Sequence, residues 1–154
     1  MTIREFCEEI KAVYAKYFPY SECVTIFNPD WRYVGIVCYL SADASETSYN
    51  IRNNDMFHVG FSVDIRKNAT IDDEMTDTVM ESNHHDFTIN PTNPYCVYGS
   101  YNVPYRKTKG NAEKIINAFD RFVERLYNAV VNEYTNGNIH KDFTEIVKAK
   151  TECW

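Results

Sequence analysis

Between Gly110 and Gly137 the chain has no interior glycine or proline, and its apolar residues fall at helical spacing. Ile116, Phe119, Val123, Leu126 and Val130 recur three and four apart, flanked by Ile115, Phe122, Tyr127, Val131 and Tyr134. This predicts one long α-helix with a wide apolar stripe. Glu113, Asn117, Asp120, Arg121, Glu124, Arg125 and Asn128 form its wet face. Asn111 suits the N-cap and Gly137 the residue after the C-cap. About 23 helical residues span roughly 35 Å, enough to cross a small domain. The rest of the chain must supply the surface on which that stripe packs.

A chain of 154 residues fits one domain, here residues 1–154. With 25% charged and 15% aromatic residues it belongs with globular rather than disordered chains. No apolar run is long enough to span a membrane. Glu5, Glu8 and Glu9 are foreign to a signal peptide, so a cytoplasmic protein is expected. Cys7, Cys23, Cys38, Cys96 and Cys153 show no Cys-x-x-Cys spacing, which argues for reduced thiols used as small core residues.

The net charge of −6 is unevenly placed. From Asn68 to Tyr105 there is no Lys or Arg, while Asp72, Asp73, Glu74, Asp77, Glu81 and Asp86 lie inside. Six of the 22 acidic residues fall there, so the remainder balances 16 acids against 16 bases. An acidic chain is a poor direct ligand for nucleic acid or for an anionic membrane, and neither is expected as a partner.

Thr2 and Glu5 make a capping-box pattern before a helix expected over Ile3–Phe18, which Pro19 ends. Val24–Phe27 reads as a strand, followed by the turn Asn28-Pro29-Asp30. Tyr33–Leu40 is apolar on both parities and should be central, with Gly35 marking a close backbone approach or a bulge. Met56–Ile65 alternates most clearly, with Phe57, Val59, Phe61, Val63 and Ile65 on one side and His58 on the wetter one. Thr70-Ile71-Asp72-Asp73 predicts a short helix ending near Asn83, with Ile71, Met75 and Val79 inward. Strands at Phe87–Ile89 and Tyr95–Val103 follow, the second limited by Pro104, and Ile139–Val147 forms a last short helix. The order α-β-β-β-α-β-β-α-α predicts an α+β domain, a mostly antiparallel sheet of four or five strands with helices packed on it.

Candidate chemistry is sparse. His84-His85-Asp86, with Asp72 and Asp73 upstream, is the nearest approach to a metal cluster, but adjacent histidines on an extended segment point apart. Cys38 and Cys96 fall within predicted strands, where a thiol is inert packing. The chain has five glycines and no glycine-rich phosphate loop. No metal or cofactor is therefore expected. Two features remain as partner-binding candidates: the acidic residues from Asp72 to Asp86, and the sheet tyrosines Tyr95 and Tyr101, since tyrosine is favoured at interfaces.

These features lead to the expectation of a small, non-enzymatic inhibitor whose acids occupy the basic surface of another protein, such as a nucleic-acid-binding effector. Small phage-type antagonists of bacterial defence, anti-CRISPR proteins among them, offer the functional analogy. The element order up to the long helix also resembles small acidic secretion chaperones, which implies a chaperone or toxin-immunity role as the alternative. From another class stands a small hydrolase or ligand-binding enzyme using His58, His84 or His85 with nearby acids.

Overall fold

The computed structural model describes residues 1–19, 22–39, 58–82, 86–88 and 102–135. Its elements are α1 (Ile3–Tyr17), β1 (Cys23–Asn28), β2 (Tyr33–Tyr39), β3 (His58–Asp64), β4 (Thr78–Ser82), β5 (Asp86–Thr88), β6 (Asn102–Pro104), β7 (Thr108–Gly110) and α2 (Ala112–Thr135). Five strands form an antiparallel sheet in the order β1-β2-β3-β4-β7, and β5 and β6 pair separately. The architecture is α+β, as the sequence predicts.

β2 is an interior strand, as expected, pairing with β1 on one side and β3 on the other. Val34, Ile36 and Cys38 lie opposite Val63, Phe61 and Val59, and all six are buried. Met80 of β4 extends this face beside Val63. Gly35 sits in an unbroken register, so it marks a close approach and no bulge. A Cβ there would stand 3.3 Å from the Tyr33 ring and 3.6 Å from Ile26.

Both helices contribute to the same core. Ile3, Phe6, Ile10 and Tyr14 of α1 join Ile115, Phe119, Phe122, Val123 and Leu126 of α2 in one buried cluster with the strand residues. Phe61 meets Tyr105, Phe119 and Phe122 edge-on, at ring-centroid distances of 5.0, 5.7 and 5.1 Å. Such T-shaped contacts add to simple area burial. At the far end of α1, the Lys16 ammonium and the Tyr17 hydroxyl both donate to Asp120 of α2, at 2.7 and 2.6 Å.

The expected helix over residues 70–83 is corrected. Thr78–Ser82 is instead a strand between β3 and β7, and residues 70–77 make a turn at Ile71–Asp72 and an isolated bridge from Glu74 to Thr2. The cause is tertiary hydrogen bonding. The Ile3 and Arg4 amides, which no residue of their own helix can accept, donate to the Asp73 and Ile71 carbonyls at 2.9 and 2.8 Å. The Glu5 amide finds Thr2 Oγ1, completing the capping box. Asp73 closes its own turn by accepting the Thr70 amide at 2.7 Å. With those groups engaged, the segment cannot also make a helical ladder.

β7, like β4, is a strand that the sequence does not predict, because Thr108-Lys109-Gly110 has no apolar alternation. The expected strand Tyr95–Val103 is met by β6 at its end; residues 95–101, Phe57, Gly137 and the expected helix Ile139–Val147 lie outside the described residues. Among the described residues no helix is long and apolar enough to cross a membrane.

Candidate functional site

The acidic segment is exposed, but the fold supplies cations that the sequence shows elsewhere. Arg4 Nε donates to Asp72 Oδ1 at 2.9 Å, Arg66 reaches Asp73 at 2.6 Å, and the Met1 ammonium meets Glu74 at 2.8 Å. Glu81 faces Lys107 at 3.9 Å. The carboxyl of Asp72 is held below the usual carboxylate range by the Arg4 bond. That of Asp73 is lowered first by the Thr70 amide and then by Arg66. The Met1 ammonium is raised by Glu74. Asp77 is exposed and makes no ion pair within the described residues. Four acids of the strip therefore meet a cation, and Asp73 also serves the local backbone.

The other expected site residues are not brought together in the described structure. His58 opens β3 and Asp86 opens β5, but their side chains, like Tyr95, Tyr101, His84 and His85 as a whole, lie outside the described residues. Among the described residues no three His, Cys, Asp or Glu side chains gather as a metal site. Cys7 and Cys38 are buried free thiols, and burial pushes both thiol pKa values up.

A different site appears where β7 runs into α2. A groove of about 340 Å³ is lined by Arg106, Lys107, Lys109, Lys114, Arg121 and Arg125, with Tyr105, Thr108 and Ala118. Six of these nine described lining residues are cationic and none is a carboxylate. All six cations are exposed. Arg106, Lys109, Lys114 and Arg121 make no ion pair within the described residues. Arg125 lies over the Phe122 ring, 5.8 Å from its centroid.

The local sequence builds this groove in two ways. Lys114, Arg121 and Arg125 are seven and four residues apart, so they share one face of α2 and span about 16 Å along its axis. Gly110 has φ of +155°, and a Cβ there would meet Lys114 Cδ at 2.5 Å, so only glycine lets the Lys114 stem cross the end of β7. Asn111 then caps α2, accepting the Lys114 amide at 2.9 Å. Tyr105 forms the floor: its half-buried ring packs on Phe61 and Phe122, and its hydroxyl donates to the Met80 carbonyl at 3.2 Å. The signal for the groove was present as Arg106-Lys107-Thr108-Lys109 followed by Lys114. Counting charge over long segments conceals it, because Glu113, Asp120 and Glu124 restore the balance from neighbouring positions.

Comparison with family models, with curated proteins and with solved structures finds no match to this chain.

Proposed function

We propose that this protein acts by binding another macromolecule, without catalysis of its own, and that an anionic surface of the partner seats in the groove between β7 and α2. The observation that carries this reading is the collection of six exposed cations in one groove, of which Arg106, Lys109, Lys114 and Arg121 make no ion pair within the described residues, on a chain of net charge −6. Like charges crowded into one concavity repel one another, and an anionic ligand relieves that repulsion while gaining several charge-assisted hydrogen bonds.

Chromatography on immobilised heparin tests it directly. Net charge alone would send the protein through the column. Retention that is reversed by salt and lost in Lys114→Gln/Arg121→Gln supports the reading; passage of the wild type at low salt overturns it.

A second reading keeps the acidic strip as the contact surface of an inhibitor that occupies a basic protein channel, as the sequence suggests. It is favoured by the exposure of Asp72, Glu74, Asp77 and Glu81; the ion pairs of Asp72, Glu74 and Glu81 are at the surface and exchange readily with a partner's cations. Asp77→Asn/Glu81→Gln spares the turn that Asp73 closes. Slower association of this variant with an identified basic partner, together with steep salt dependence, would support the strip; indifference to both would exclude it.

A further inference from the structure

Resting on the groove reading above, we infer that the anion it takes is a phosphodiester chain, the backbone of a nucleic acid. The cations are arranged along a line rather than around a point. The α-carbons of Lys114 and Arg125 are about 16 Å apart along α2, a row that successive phosphates of one strand match better than one small anion does. Arg106 and Lys109 flank that row from the neighbouring loop and strand.

The lining chemistry separates a phosphate chain from an acidic polypeptide. Protein contacts rely on apolar and aromatic anchors seated in fitted pockets. Among the described lining residues Ala118 is the one aliphatic side chain, and Tyr105 is turned inward on Phe61 and Phe122. Nucleic-acid interfaces are more polar and far more cationic than protein interfaces, which is the character of this groove. The arginine forks can hold two phosphate oxygens at once, while the lysines act as mobile point charges. With Tyr105 engaged below, the described lining offers no stacking platform for bases, so binding is directed at the backbone and tolerant of sequence.

The acidic remainder of the molecule sets the strength. Net charge of −6 opposes approach of a polyanion at long range, so the complex is held by short-range contacts and is weak and salt-sensitive. Three to four phosphate contacts to a single strand give a slope of log affinity against log salt of about −2 to −3. Affinity then falls about 20- to 60-fold between 50 and 200 mM salt, on the same counterion-release scale.

Fluorescence anisotropy of the full chain with a labelled oligothymidylate decides the matter, with a duplex of equal length and polyglutamate of equal charge as competitors. The expected result is saturable binding with that slope, competed by oligonucleotide and resisted by polyglutamate. Lys114→Gln/Arg121→Gln should weaken it at least about tenfold and reduce the slope by about 1.4, two contacts at 0.7 each. A melting curve controls for folding, and Lys11→Gln, which removes an exposed cation of α1 outside the groove, should leave binding intact. Preference for the duplex would still assign a phosphodiester ligand and identify its double-stranded source. Displacement by polyglutamate as effective as by oligonucleotide overturns the phosphodiester inference while leaving an anion groove. Absence of binding to every polyanion, or binding unchanged in the double variant, removes the groove reading itself.

Discussion

Phe61 shows how much a single side chain can be asked to hold. Its ring is fully buried between Tyr105, Phe119 and Phe122, so β3, α2 and the floor of the groove share one contact point. Phe119→Ala should cost about 3–5 kcal/mol, measured by denaturant unfolding, because a rigid aromatic cluster closes poorly over a cavity. At the surface, Asp73 behaves differently from its acidic neighbours. Its folded-state pKa is lowered by the Thr70 amide and Arg66, so its contribution is complete above the ordinary carboxylate range and is lost as pH falls through the lowered value. Asp73→Asn should therefore lower the melting temperature at pH 7, and the difference from wild type should shrink near pH 3. The periodicity of the sequence was enough to place Phe61 and Phe119 in the core. It was silent on Asp73, whose role depends on which amide and which guanidinium the fold brings to it.

At the scale of elements, α1 and α2 were legible because long apolar stripes and caps are local properties. Thr2, Glu5 and Asn111 all act as caps, as their positions suggest. Asn111→Ala should cost about 1 kcal/mol, seen as a lowered denaturation midpoint with unchanged slope. Gly110→Ala should be worse than its small volume implies, since it forces a strained φ and displaces the Lys114 stem. A lowered melting temperature together with weaker retention on heparin would check both effects in one variant. β4 was misread as helix because Ile71, Met75 and Val79 fall four apart, a spacing that competes on equal terms with strand alternation in so short a window. Edge pairing to β3 and β7 decided it. β7 itself is a charged edge strand, the kind that resists further strand addition and leaves no apolar trace in sequence.

For the molecule as a whole, the central question is where charge and reactive groups end up. Cys38 lies directly opposite Cys23 across β1 and β2, yet both are free thiols, and burial keeps Cys38 protonated at neutral pH. An added reductant should leave the melting temperature unchanged, and an alkylating reagent should reach Cys38 only on unfolding; a reductant-induced drop of several degrees would reveal a disulfide. Charge tells the same story about distance. Arg4 and Asp72 are 68 residues apart in sequence and 2.9 Å apart in the fold, so acids in a segment with no cation of its own are paired by cations from elsewhere. Sequence by itself determined the α+β class, the two helices with their caps and the buried parity of β2 and β3, because each follows from residue spacing within one element. Only the tertiary structure decided that residues 70–77 cap α1, that Asp72, Asp73, Glu74 and Glu81 meet cations, and that six cations from a loop, a strand and a helix line one groove. Those depend on pairings between distant residues, where the hydrogen bond or ion pair that forms is set by what the folded chain brings within reach.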